Sequence, residues 1–162
     1  MKKIIRIVFV LSGFMLAILC ILSVLICYTY VRRSAMLEDQ INEMVKDYKE
    51  GRAQDIDLSS INYFAWDEVY LVGGYSSCDD VANAVKVPTY KFLCSLTGIQ
   101  YDEDATLFVF KYKNRVVRDV KYFGRSYRHK CDPNTYLPYS PTDAKFVFDK
   151  NGDFICVAKE VK

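Results

Sequence analysis

The sequence predicts an α+β protein: an N-terminal transmembrane helix and helical stalk, then a small antiparallel sheet with a helical layer. Three observations carry this. A near-unbroken apolar run, residues 7–30, is flanked by Lys2, Lys3 and Arg6 before it and by Arg32 and Arg33 after it. Leu37, Ile41, Met44 and Tyr48 follow at the four-three-four spacing of one helix face. Beyond Ile61 the pattern changes to short Val- and Phe-rich runs broken by Gly, Pro and Asn-Gly, as strands and turns demand.

The apolar run is long enough for a bilayer core, which takes roughly 20 residues of helix. Leu, Ile, Val and Phe fill fourteen of the positions 7–27. On an insertion scale that is on the order of −4 to −8 kcal/mol, with no charge to offset it. A core helix of this length would show a polar face, and this run shows none. A cleaved signal peptide would end in a small-x-small site. Residues 27–32 contain no such site, and Leu19 and Ile26, which precede Cys20 and Cys27, do not suit a lipoprotein cysteine. The expectation is an uncleaved signal anchor in the cell inner membrane. Residues 1–6 would be a cytoplasmic tail, 7–30 the anchor, 31–60 a helical stalk and linker, and 61–162 an extracytoplasmic domain.

Gly13, Ala17, Cys20, Val24 and Cys27 form a small-residue stripe, of the kind that lets membrane helices approach closely. Counted onward, Ser34, Ile41 and Tyr48 fall in the same column. Two readings follow: a parallel homodimer through anchor and stalk, or a stalk whose apolar face packs on its own domain.

The net charge of +2 is close to neutral and gives no reason to expect a nucleic-acid partner. An aromatic content of 15% suits a folded domain rather than a disordered tail. Cys78, Cys94, Cys131 and Cys156 lie in the soluble part, an even number that suggests two disulfides in an exported domain. Of the three pairings, Cys78 with Cys94 and Cys131 with Cys156 is the one expected. The four are too scattered for a metal site.

Gly51 should end the stalk helix, and residues 52–60 read as a linker. Residues 69–72 form a strand that Gly73 and Gly74 break. Ser77 can cap a helix over residues 78–85, with Asp79 and Asp80 in its first turn and Pro88 beyond its end. Thr89 can cap a second helix over 90–96, closed by Gly98. Residues 106–112 and 115–123 read as a hairpin around Lys113 and Asn114. Residues 124–141 form a long Pro-containing loop, and 145–148 with 154–158 form a last hairpin around Asn151-Gly152.

The run Trp66-Asp67-Glu68-Val69-Tyr70-Leu71-Val72-Gly73-Gly74-Tyr75-Ser76 resembles a motif of small, uncharacterised, membrane- or lipid-anchored bacterial proteins. These carry a Trp-Asp-x-Val/Leu-Tyr strand, a Pro-Tyr-Thr/Ser turn, a helix, a Phe/Val-rich hairpin and an Asp-Ala-x-Phe strand. The later parts match Leu107 to Phe110, Arg115 to Val117 and Asp143-Ala144-Lys145-Phe146. Gly74 stands where that group usually has Pro. The resemblance implies the fold and an anchored location, and carries no activity with it.

Candidate chemistry is sparse. His129 is the sole histidine and sits in a basic loop. No Gly-rich phosphate loop, serine elbow or Cys-His signature occurs. Residues 149–153 fit a hairpin turn better than a calcium loop, whose spacing they lack. Neither metal nor cofactor is expected. The candidate partner surface consists of Trp66, Tyr75, Arg125, Tyr127 and Arg128, because Tyr, Trp and Arg dominate interface centres. The expectation is a non-enzymatic binding module that engages a protein at the envelope, as an inhibitor, immunity or accessory factor does. Two alternatives stand beside it: an envelope enzyme using Asp67 and Glu68, and a regulator acting through its transmembrane helix.

Overall fold

One helix, α1 (Lys2–Lys49), carries both the apolar run and the stalk stripe. The computed structural model describes the backbone of residues 2–123, 137–148 and 155–157, and the side chains of these except 2–12, 26, 27, 29–31, 33 and 155–157. The chain divides into two compact units, Met1–Met36 and Leu37–Lys162.

In the first unit Gly13, Ala17 and Cys20 are exposed residues of α1; the side chain of Cys27 lies outside the described residues. Among the described residues no helix is long and apolar enough to cross a membrane.

The second unit begins inside α1. Leu37, Ile41 and Val45 are buried at 0%, 1% and 3% exposure, and Met44 and Tyr48 pack against the same core. The stalk stripe therefore folds onto its own domain. Gly51, at φ 73°, ends the helix as expected. Its N–H donates to the Tyr48 carbonyl and that of Arg52 to the Asp47 carbonyl, which satisfies two of the terminal acceptors.

The linker expected over residues 52–60 is a correction. Ile56–Asp57 forms a short strand, β1, and Ile56 and Leu58 are fully buried. Leu58–Ser60 is a 3-10 turn capped by Asp57, whose side chain accepts from the Ser59 N–H. The domain thus starts at Leu37, not near Ile61. A two-residue strand is too short to show a period, so composition misreads it as linker.

The main sheet has the order β2-β3-β4 and is antiparallel throughout: Glu68–Gly73, Ala105–Tyr112 and Arg115–Phe123. Helices α2 (Cys78–Ala84) and α3 (Tyr90–Thr97) connect β2 to β3. A second antiparallel sheet, order β1-β5-β6, joins β1 to Lys145–Phe148 and Ile155–Val157. Asn151-Gly152, between β5 and β6, lies outside the described residues. Tyr139, from the end of the long loop, exchanges both backbone hydrogen bonds with Val69 on the outer edge of β2, each at 2.9 Å.

Both faces of the main sheet are covered, which accounts for continuous apolar runs where a half-exposed sheet would alternate. Val69, Leu71, Phe108 and Phe110 face a core shared with α1, β1 and β5. Tyr70, Val72, Leu107 and Val109 face α2 and α3. A β-bulge shifts the pairing from Phe110↔Arg118 to Lys111↔Val116. The extra residue, Val117, turns to the first core while Val116 turns to the second.

Candidate functional site

The helical layer is built from local signals. Ser77 caps α2 by accepting from the Asp79 N–H at 3.2 Å. Asp79 and Asp80 occupy the first turn, where the helix dipole favours negative charge. Cys78, Val81 and Ala82 bury its inner side. Beyond the C-cap Val85, Lys86 adopts φ 57° and stops the helix. The Lys86 N–H donates to the Asn83 carbonyl and the Val87 N–H to the Ala82 carbonyl, so a lysine closes the motif that glycine usually closes. Pro88 lies beyond this stop. Thr89 makes no capping bond through its side chain and is itself helical, so the expected Thr89 cap is absent.

α3 is fixed to the sheet from both ends. The Tyr90 hydroxyl donates to Asp119 Oδ2 on β4 at 2.8 Å. At the other end the Lys121 ammonium donates to the Thr97 carbonyl and to the Asp102 carboxylate. A cation at a helix C-terminus is where the dipole favours it. Gly98 closes α3 at φ 68°. The Cys78–Cys94 disulfide ties α2 to α3, with a Cα–Cα distance of 5.7 Å, as the expected pairing had it. The pairing of Cys131 with Cys156 lies outside the described residues.

With Tyr90 and Cys94 turned inward, the rest of α3 points to solvent. Phe92 is 69% exposed and Leu96 70%, four residues apart on one face, and Leu93 is exposed beside them. On one side the ridge borders a groove of about 510 Å³ lined by Ser77, Cys78, Asp79, Pro88, Thr89, Lys91, Phe92, Ser95 and Gln100. Lys91 and Asp79 form an ion pair across it at 2.6 Å. On the other side Leu93, Tyr90, Val87, Asn114, Arg115 and Val116 are among the residues lining a second groove, of about 450 Å³. Phe92, Leu93 and Leu96 thus form an exposed apolar ridge on α3.

The expected partner residues fare differently. Trp66 is a correction: it is buried, its Nε1 donates to the Ile61 carbonyl at 3.0 Å, and its ring packs edge-on against Phe110 at 5.3 Å. The satisfied indole N–H is what lets it serve as core. Tyr75 is exposed, with its N–H on the Ile99 carbonyl and φ 60°. Arg125, Tyr127 and Arg128 lie outside the described residues, as does His129. Of the five, the structure describes Trp66 and Tyr75, and of these two Tyr75 is the exposed one. The α3 ridge has a signal in the sequence: Tyr90, Phe92, Leu93, Cys94 and Leu96 make one short helix apolar on more faces than the sheet can bury.

Asp67 and Glu68 have structural partners. Asp67 Oδ2 accepts from the Lys113 N–H at 2.7 Å and so fastens the β3–β4 turn, where Lys113 takes φ 55°. Glu68 Oε2 accepts from Lys111 Nζ at 2.9 Å and from the Tyr70 hydroxyl at 3.1 Å. Burial, and then the Glu68 bond, push the Tyr70 phenol well above its ordinary value. Among the described residues no group of three His, Cys, Asp or Glu side chains could hold a metal ion.

No protein-family model matches the chain, and no curated protein or solved structure matches it significantly.

Proposed function

We propose that the protein is a single-pass, membrane-anchored binding module whose exported domain engages a partner protein through the outer face of α3. The observation that carries this is the Phe92–Leu96 ridge, exposed to about 70% on a helix that a disulfide and two side-chain bonds hold rigid. A rigid aromatic anchor beside a groove loses little conformational freedom on binding, which is the economy of an interface centre. Placement outside the cytoplasm is supported by the Cys78–Cys94 disulfide, since such bonds persist in oxidising compartments. Anchorage is supported by the charge-flanked apolar run of residues 7–30, and the resemblance of the Trp66–Ser76 region implies the same placement. An inhibitor, immunity or envelope-accessory role fits such a module.

The test compares the full chain with a Phe92→Ser/Leu96→Ser variant, each extracted in mild detergent from the membranes that produce it. The expected result is a complex larger than the chain alone for the wild type, and its loss in the variant at unchanged melting temperature. A complex that survives the double substitution removes α3 from the reading.

A further inference from the structure

We infer that the groove between the α2–α3 connection and the β3–β4 turn receives the carboxy-terminal carboxylate of a partner polypeptide that ends in an apolar residue. This rests on the binding-module reading and names the chemistry of its partner. The groove's volume of about 450 Å³ is that of a small-ligand site. Val87, Leu93 and Val116 give it apolar walls, and Thr89, Asn114 and Arg115 add polar side chains. Among the described residues none of these polar side chains takes a hydrogen bond or an ion pair. An arginine fork with a hydroxyl and an amide beside it is a donor set for a carboxylate. The Tyr90 hydroxyl donates to Asp119, so Tyr90 serves the groove as a wall.

Both sides of the groove are held in place. The Lys113 N–H donates to Asp67 Oδ2 at 2.7 Å, which fixes the turn that carries Asn114 and Arg115. On the other side the Val87 N–H donates to the Ala82 carbonyl and the Tyr90 N–H to the Val87 carbonyl. Walls that are already ordered give up little freedom on binding.

Charge selects an anion. Among the described residues lining the groove, Arg115 alone is charged. Lys86 and Lys113 adjoin it, exposed and without an ion pair among the described residues; the Lys113 Nζ lies over the Tyr112 ring at 5.2 Å. The neighbouring carboxylates already accept hydrogen bonds: Asp67 from the Lys113 N–H, Asp119 from Tyr90, and Glu68 from Lys111 and Tyr70. Lys91 is matched by Asp79. Residues outside the described set bring no acidic surplus, since 124–136 carry Arg125, Arg128 and Lys130 against Asp132, and 149–162 carry the two signs equally. One lining cation matches a monoanion, which favours a carboxylate over a doubly charged phosphate. Leu93 joins the groove to the Phe92–Leu96 ridge. A polypeptide that ends in the groove lays its preceding residues across that ridge, and a small free acid gains nothing from it.

The test titrates the full chain, in a neutral detergent, with three fluorescent peptides that share their leading residues, Gly and Ser around one Phe. One ends in Leu with a free carboxylate, the second in Leu amide, the third in Ser with a free carboxylate. The first should bind saturably, about tenfold tighter than either of the others, and more weakly as salt is raised. Arg115→Gln should erase the preference for acid over amide, and Arg115→Lys should restore part of it, both at unchanged melting temperature. Leu93→Ser should erase the preference for Leu over Ser. Equal or tighter binding of the amide overturns the inference, as does a preference indifferent to Arg115→Gln, or no binding. So does inorganic phosphate that displaces the peptide where acetate at the same concentration does not. N-acetyl-leucine binding as tightly as the peptide overturns it as well, because the ligand is then a free small acid. If the double serine variant loses its native complex while no peptide shows a carboxylate preference, the module reading stands and only the partner's chemistry is wrong.

Discussion

Cys78 opens α2 and Cys94 lies midway along α3, and the disulfide between them closes a loop with a sequence separation of 16. In a chain-entropy account a loop of this size stabilises the fold by about 3 kcal/mol. Cys94→Ala should therefore lower unfolding free energy by about that amount, read by urea denaturation of the full chain in detergent. The loss should fall first on the helical layer. Hydrogen exchange should quicken in α2 and α3 while β3, at the centre of the main sheet, stays protected.

Ile41 and Leu37 distinguish a stalk from a core. Both are fully buried against the domain's own sheets. Ile41→Ala or Leu37→Ala should cost about 2–5 kcal/mol through lost burial and the cavity left behind. If the stripe instead joined two stalks, these substitutions would shift the oligomeric state and leave the melting of the domain nearly untouched.

Gly74 is required by close approach and not by its backbone angles. The Asp102 carbonyl occupies the space a Cβ would need. Gly74→Ala must push the 102–104 turn away, at a cost of about 1–3 kcal/mol, visible in thermal melts. It should also disturb the Lys121–Asp102 pair, since the displaced backbone carries that carboxylate.

Two pH effects follow from groups outside α1. Burial opposes ionisation of Asp57, but its bonds to Ser59 and Lys145 outweigh this and hold its carboxyl below the usual 3.8. Its contribution to stability is present above that value and is lost as pH falls through the lower folded value. Asp57→Asn should remove this acid-side component. Tyr70 has the opposite sign of shift: its folded value lies above the ordinary 10.0. Its contribution is complete below 10.0 and declines as pH rises beyond that, toward the folded value. Tyr70→Phe should flatten that alkaline decline, measured as unfolding free energy against pH.

Legibility in the sequence followed the strength of local chemistry. Gly51 and Gly98 announced helix ends, Ser77 announced a cap, and the strand runs of β2, β3 and β4 lay where Val and Phe density put them. Signals that only tertiary packing decides were misread. Trp66 reads as an interface anchor until Ile61 supplies its hydrogen bond, and β1 reads as linker until β5 pairs with it. Lys86 stops α2 in a conformation that its side chain does not advertise. The α3 ridge was written in the sequence as surplus apolar surface, but which face would stay exposed depended on where β4 put Asp119 and Lys121.

Docking through α3 is read by photocrosslinking in intact producing cells, with a benzophenone side chain placed at Leu96 or, as a control on the opposite side of the main sheet, at Ser59. One discrete protein adduct is expected from Leu96 and none from Ser59. Equal adducts from both positions, or an adduct from Ser59 alone, would contradict it.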